Sequence, residues 1–163
     1  GAKSILAVAN GNNTGLLAVH SLSKRSNLAG YRAGFVVGDV KLIDQIRQVR
    51  KHAGLMTPLP VQQVMITALA DEQHVKEQVE RYDRRRQILK AALLSKGFKI
   101  EYSQAGLYIW CTKGEDGYKT VDYFANLGIL VTPGAFYGSD QFIRIALTAT
   151  DENISKAAQR VSA

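Results

Sequence analysis

The longest helical pattern in the sequence divides the chain into three parts. Pro58 and Pro60 fix the backbone at its start, and Gly97 supplies a natural stop at its end. Between them apolar residues recur at steps of three and four, and residues 71–72 are the expected place for a bend. Short apolar runs, bounded by turn-forming residues, lie on both sides of this stretch and are typical of strands. Helices and strands therefore interleave, which predicts an α/β or α+β fold.

Five short apolar runs predict the strands, and three further stretches predict helices besides the long one. The runs cover residues 16–20, 33–38, 105–111, 129–131 and 142–147, and the first is typical of a buried strand. Asp39 is a good N-cap for a helix from about Lys41 that ends at Gly54. A short helix is predicted over 121–127, and Asp151 is the expected cap of the last helix.

Composition excludes several classes of protein. Of the 163 residues, 46% are apolar, which is enough to build a core and argues against intrinsic disorder. No apolar run approaches the roughly eighteen residues that a membrane-spanning helix needs. The single cysteine, Cys111, cannot form an internal disulfide, and with three histidines it cannot complete the usual tetrahedral zinc site. We therefore expect no metal, and a reducing, cytoplasmic location fits best.

The net charge is positive, since 21 lysine and arginine residues against 14 acidic ones give a formal charge of +7. Such an excess suits nucleic acid, an acidic membrane or an anionic small molecule, and its sign alone does not choose among them. The densest cluster, 81–86, falls on the helical pattern and is predicted to be a solvated helix face. Among aromatic residues only Tyr82 interleaves with it, so we expect no nucleic acid partner.

Chemistry is concentrated in the segment that follows the first predicted strand. Lys24 lies just after that strand among small hydroxyl residues, and we expect it to be partly desolvated, which makes a nucleophilic amine more available. Arg32 lies beyond a loop containing Gly30, and an arginine with nearby serine hydroxyls is suited to a phosphate. Each residue alone is an ordinary solvated charge. Together, an amine for a Schiff base and an anchor for a phosphate suggest pyridoxal 5′-phosphate.

Segment 21–34 resembles throughout the lysine-attachment signature of the class I and II aminotransferases. The matching positions are Ser21, the pair Ser23 and Lys24, Asn27, Leu28, Gly30, Arg32 and Gly34. The resemblance implies that Lys24 binds the cofactor covalently and acts as the catalytic proton shuttle. It also implies that Ser21, Ser23 and Arg32 hold the cofactor phosphate.

The resemblance extends over nearly the whole chain. Residues 60–96 look like the long interdomain helix of the family, residues 131–138 like its Pro-Gly turn, and residues 142–147 like its strand bearing the substrate-binding arginine. Arg144 is then the partner of the substrate α-carboxylate. The strand pattern alone leaves another reading open, because Arg144 would point away from Ile143 and Ile145, which often means into solvent.

The resemblance implies the C-terminal half of a fold type I enzyme. Residues 1–56 would end the large cofactor-binding domain, residues 57–97 form the interdomain helical segment, and residues 98–163 form the small α+β domain. Gly1 would then fall inside the large domain, and the remaining cofactor-binding residues would lie upstream. We expect a homodimer for the full-length enzyme and little activity for the isolated chain.

Within the family, the sequence looks most like the actinobacterial N-succinyldiaminopimelate aminotransferases. This implies amino transfer between glutamate and N-succinyl-2-amino-6-ketopimelate in lysine and diaminopimelate synthesis, with amino acids and 2-oxo acids as substrates. Two alternatives stay open. The enzyme could be a sulfur amino acid β-lyase with the same cofactor, or the chain could be a basic binding module without a cofactor.

Overall fold

The computed structural model describes residues 3–163, which form two compact units. The described residues up to Glu77 make the first unit, and Gln78–Ala163 make the second. The expectation that Gly1 lies in a large domain concerns a residue outside the described range.

The first unit contains a two-stranded antiparallel sheet followed by helices. Its elements are α1 (Ile5–Val8), β1 (Leu17–Ser21), α2 (Leu22–Arg25), a 3₁₀ turn (Ala29–Tyr31), β2 (Gly34–Gly38), α3 (Val40–His52), α4 (Leu59–Ala70) and the start of α5 (Gln73–Ser95). Both predicted strands are therefore confirmed to within one residue. The expected bend in the long helix is a complete break, because the Asp71 carboxylate accepts hydrogen bonds from the backbone N–H groups of Gln73 and His74.

Strand β1 is less buried than its apolar pattern predicts. Ala18 is its one buried residue, and the side chain of Val19 is 76% exposed. The apolar run predicted the strand correctly. Most of its side chains are exposed because the described residues of this unit pack against only part of the two-stranded sheet. The prediction of a buried strand is therefore wrong for the described chain.

Asp39 caps α3 as predicted and also ties the helix to the loop before β1. Its Oδ1 accepts hydrogen bonds from the N–H groups of Lys41 and Leu42, and its Oδ2 accepts one from Gly15 at 2.7 Å. The hydrogen bond from Gly15, followed by that from Lys41, lowers the pKa of Asp39 below its ordinary value of 3.8.

The second unit contains a four-stranded antiparallel sheet in the order β3-β4-β6-β5. Its further elements are β3 (Lys99–Glu101), β4 (Tyr108–Thr112), α6 (Gly117–Asn126), β5 (Thr132–Pro133), a 3₁₀ turn (Gly134–Tyr137), β6 (Phe142–Ala146) and α7 (Asp151–Ser162). One face of the sheet carries Ile109, Cys111, Ile143 and Ile145 into a core shared with residues of α5, α6 and α7. Burial raises the pKa of the Cys111 thiol to about 12, so it behaves as a small apolar side chain, as predicted.

Several predicted bounds in the second unit are wrong. The run at 105–111 becomes a strand only at Tyr108, and the strand expected at 129–131 is instead Thr132–Pro133, paired with β6. Helix α6 begins earlier than predicted because Asp116 caps it. Thr150, not Asp151, caps α7, since the Thr150 hydroxyl accepts the hydrogen bond from Asn153 N–H.

Two arginines of the cluster 81–86 are not part of a solvated helix face. The side chain of Arg86 is buried, pairs with Asp83 and donates to the carbonyl of Gly106. Arg85 pairs with Asp151 and donates to the carbonyl of Leu147 at 3.0 Å. These arginines anchor α5 to loops of its own unit. Within residues 3–163, no helix combines the length and the apolar character that crossing a membrane requires.

The pairing of β1 with β2 depends on Gly34. A Cβ atom at this position would lie 2.7 Å from the carbonyl oxygen of His20, whereas at Gly30 it would meet no atom within 4 Å. We therefore predict that Gly34→Ala destabilises the chain by about 1–3 kcal/mol through overpacking against the backbone. Urea unfolding measures this, with Gly30→Ala as the matched control. Equal stability of the two variants would contradict the argument.

The lowered pKa of Asp39 predicts a pH-dependent stability. Because its folded-state pKa lies below the unfolded value, the carboxylate stabilises the fold above the unfolded pKa, and this contribution is lost as the pH falls through the folded pKa. Asp39→Asn should therefore be less stable than wild type at neutral pH, with a difference that shrinks in acid. Asp44→Asn, which removes an exposed pair with Arg47, should change little at either pH.

Candidate active site

Lys24 lies in a single helical turn that follows β1 without a gap. Ser21 ends β1 and caps this turn, because its Oγ accepts a hydrogen bond from Ser23 N–H at 3.1 Å. Leu22 is completely buried and anchors the turn, whereas Lys24, two positions on, is exposed. The prediction that Lys24 is partly desolvated is therefore wrong for the described chain. Its amine makes no hydrogen bond or ion pair with residues 3–163.

The sheet brings Arg32 back to the start of the Lys24 turn. Ser21 pairs with Gly34, and Leu22 N–H donates to the carbonyl of Ala33 at 3.2 Å. Arg32 therefore lies beside the first residues of α2, although it follows them by a whole loop. The backbone of Arg32 is left-handed, with φ of 52°, and closes the 3₁₀ turn before β2.

The side chain of Arg32 keeps most of its donors. One Nη1 hydrogen bond goes to the carbonyl of Ala29 at 2.9 Å, and no carboxylate of the described residues lies within ion-pair distance. The hydroxyl of Ser21 accepts from the backbone, which leaves its own proton to be donated. The turn thus offers the Lys24 amine, which is unpaired within residues 3–163, together with the hydroxyls of Ser21 and Ser23 and the guanidinium of Arg32. These groups suit a carbonyl compound that carries a phosphate, because the amine can bind the carbonyl carbon and the other groups can donate to the phosphate.

The residue after Lys24 is fixed to the end of α4. Arg25 donates to the carbonyl of Ala68 at 3.1 Å and forms an ion pair with Glu72 at 2.5 Å. The charge of Arg25 is thus paired with an acidic side chain, whereas the neighbouring Lys24 amine has no partner within residues 3–163. The sequence placed both in one motif and gave no sign of this difference.

Ser26 is fixed in the same way to the start of α5. Its Oγ lies 3.0 Å from Nε2 of His74, whose Nδ1 lies 3.0 Å from a carboxylate oxygen of Asp71. The backbone hydrogen bond from His74, followed by the contact with its ring, lowers the pKa of Asp71. Together with Arg25, this chain of contacts holds the end of the Lys24 turn against the break between α4 and α5.

Arg144 lies on the second unit's sheet, on the face opposite to the core. It pairs with Trp110 on β4 and Thr132 on β5, and points away from Ile143 and Ile145 as the alternation predicts. It does not simply extend into solvent. Its guanidinium carbon lies 4.3 Å from the ring centre of Tyr108 and 4.8 Å from that of Tyr137.

Arg144 is a half-buried cation without an acidic partner among the described residues. Its Nε is buried and makes no hydrogen bond within residues 3–163. A buried donor of this kind requires a partner, and the nearest chemical match is an anion with two acceptor oxygens. The described residues contain no cluster of His, Cys, Asp or Glu that could hold a metal ion.

Comparisons with known proteins identify the family of the chain. The family model for aminotransferase class I and II matches residues 1–161. The chain is 56% identical over 158 residues to the 4-dedimethylamino-4-oxo-anhydrotetracycline transaminase of Streptomyces rimosus, covering 96% of this chain and 44% of that protein. It is 36% identical over 150 residues to the LL-diaminopimelate aminotransferase of Dehalococcoides mccartyi, covering 88% of this chain and 38% of that protein.

The fold is also similar to solved structures. The crystal structure of an aminotransferase from Neisseria meningitidis matches with a TM-score of 0.85 and 31% identity, over 96% of this chain and 42% of that chain. The predicted fold class, part of a fold type I aminotransferase, is thereby confirmed. The chain spans less than half the length of each of these proteins. It belongs to the class I and II aminotransferase family, whose members depend on pyridoxal 5′-phosphate.

Proposed function

We propose that this chain carries the lysine, phosphate-binding and carboxylate-binding residues of a pyridoxal-phosphate-dependent aminotransferase. The observation that carries the proposal is the Lys24 turn: Ser21 caps it, Arg32 returns beside its first residues, and the Lys24 amine has no partner within residues 3–163. Family membership over residues 1–161 supports it. The activity belongs to a longer polypeptide, because the relatives are more than twice as long as the chain.

Each residue then has a defined task. The cofactor, when bound, supplies an electron sink for negative charge at the substrate α-carbon. Lys24 Nζ holds the cofactor and, when released, moves the proton of that carbon. Ser21, Ser23 and Arg32 bind the phosphate, with hydroxyl and guanidinium donors that the described chain leaves open. Arg144 binds the substrate carboxylate and so orients the bond that breaks.

For the substrates, we propose glutamate as amino donor and N-succinyl-2-amino-6-ketopimelate as acceptor. The resemblance of the sequence to the enzymes of diaminopimelate synthesis supports this pair, as does the likeness to an LL-diaminopimelate aminotransferase. The likeness to a transaminase named for an oxo-anhydrotetracycline supports a second amino acceptor. In that acceptor, the group that receives the amine would be a ring ketone. We also propose a cytoplasmic homodimer for the whole enzyme.

The attachment of the cofactor is tested by absorption spectroscopy of the full polypeptide. Wild type should show a visible band that borohydride removes while fixing the cofactor covalently to the protein. Lys24→Ala should show neither effect, because the attaching amine is gone. Lys41→Ala, at an exposed lysine of the same unit, should behave as wild type. Borohydride trapping by Lys24→Ala at the wild-type level would contradict the assignment.

The reaction class is tested by the products. With glutamate as donor, the holoenzyme should produce 2-oxoglutarate in equal amount to the aminated acceptor, and should release no ammonia. Assays with N-succinyl-2-amino-6-ketopimelate and with an anhydrotetracycline ketone separate the two proposed acceptors. Release of pyruvate and ammonia from a sulfur amino acid, without transfer from glutamate, would establish the β-lyase alternative instead.

A further inference from the structure

Two tyrosine rings surround the cation that the proposed function assigns to the substrate carboxylate. The guanidinium carbon of Arg144 lies over the ring of Tyr108 at 4.3 Å and over that of Tyr137 at 4.8 Å. The negative faces of aromatic rings attract a cation and offset part of the hydration that it loses on burial. We call these three side chains the tyrosine clamp.

Tyr108 is positioned by its strand, and Tyr137 by a ring contact besides the one with Arg144. Tyr108 pairs with Ala146 in the register of β4 with β6, so it lies diagonally from Arg144 on the same face of the sheet. Tyr137 ends a 3₁₀ turn, and its ring meets the ring of Trp110 edge-on at 5.9 Å. Trp110 is in turn stacked on Phe142 at 5.1 Å. Two members of the clamp, Tyr108 and Arg144, therefore lie on neighbouring strands, and the third, Tyr137, is joined to the sheet through Trp110.

The surroundings of Arg144 differ from those of Arg25, Arg85 and Arg86, each of which pairs with an acidic side chain. Arg85 also lies near a ring, with its guanidinium carbon 5.9 Å from the centre of Tyr82, but its charge is paired with Asp151 and it donates to the carbonyl of Leu147. At Arg144 the guanidinium carbon lies over both rings, and no guanidinium N–H donates a hydrogen bond to a described residue. The Nε–H is buried and has no hydrogen-bond acceptor in the described chain. A ligand that reaches the guanidinium can therefore accept a hydrogen bond from it.

We propose that Tyr108 and Tyr137 are positioning residues that fix the Arg144 guanidinium for binding a substrate carboxylate through two N–H donors. A carboxylate satisfies the geometry, because its two oxygens match the parallel donors of one guanidinium edge. Without the rings the long side chain has more rotamers to lose on binding, which weakens the complex. The inference rests on the proposed function of Arg144 and adds the residues that orient it.

The test uses the full polypeptide with its cofactor bound, assayed with glutamate as substrate and with glutarate as an unreactive carboxylate probe. The variants are Tyr108→Leu, Tyr137→Leu and the two corresponding Phe substitutions. Tyr118→Leu is the matched control, because Tyr118 is an exposed tyrosine of the same unit outside the clamp. Arg144→Lys serves as the benchmark for loss of the guanidinium. Calorimetry measures the glutarate Kd, and steady-state kinetics separate KM from kcat.

Each Leu variant should raise the KM for glutamate and the Kd for glutarate about tenfold, with a smaller change in kcat. The Phe variants should recover most of this loss, since they keep the ring and remove only the hydroxyl. Tyr118→Leu should leave both constants within about twofold of wild type. Tyr108→Leu is the decisive variant, because Tyr137 also packs against Trp110 and its loss disturbs the sheet further.

Two results would overturn the clamp, and two others would overturn the proposed function. If the Leu variants match Tyr118→Leu, or if the Phe variants are as weak as the Leu variants, the rings do not position Arg144. If Arg144→Lys leaves the KM and Kd unchanged, or wild type binds neither glutamate nor glutarate, Arg144 does not bind the carboxylate and the proposed function fails with it. If Arg144→Lys binds glutarate weakly while the Leu variants bind it like wild type, only the tyrosine clamp is contradicted, and the proposed role of Arg144 stands.

Discussion

The close approach of two backbones at Gly34 is the constraint on which the first unit depends. A Cβ at this position would lie only 2.7 Å from the carbonyl oxygen of His20, so a residue without a side chain is needed for β2 to run this close to β1. That approach places Ser21 opposite Gly34 and returns Arg32 to the start of the Lys24 turn. Arg32 therefore lies beside the start of the Lys24 turn because of a packing requirement in a short antiparallel ladder.

A second theme is how the molecule uses its positive charge. Arg25, Arg85 and Arg86 donate hydrogen bonds to acidic side chains and to backbone carbonyls. These bonds connect different segments of the unit in which each arginine lies. Arg144 is also partly buried, yet its described neighbours are aromatic rings. Burying a cation without an acid is costly, and proteins accept that cost mainly at functional sites. The excess charge of the chain is thus partly structural, and we propose that Arg144 uses part of it to bind an anion.

The sequence predicted those parts of the fold that local rules decide. Asp39 was identified as a helix cap and Gly97 as a helix stop because capping depends on a few adjacent residues. The sequence did not predict contacts between residues that are far apart along the chain, such as the contact of Ser26 with His74, because no sequence periodicity relates such residues. The burial of Arg86 and the exposure of Lys24 escaped for the same reason, because tertiary neighbours decide solvation. Strand β3 was missed because three residues with a charge at each end carry no strand pattern.

Above all, we propose that Lys24 is the residue that binds the cofactor covalently. Mass spectrometry of the full polypeptide, digested after borohydride reduction in the presence of pyridoxal 5′-phosphate, tests it most directly. The account predicts a phosphopyridoxyl group on Lys24 within the peptide that contains Ser21 and Arg25, in about one equivalent per chain. The group on a different lysine, or spread over several surface lysines, would contradict it.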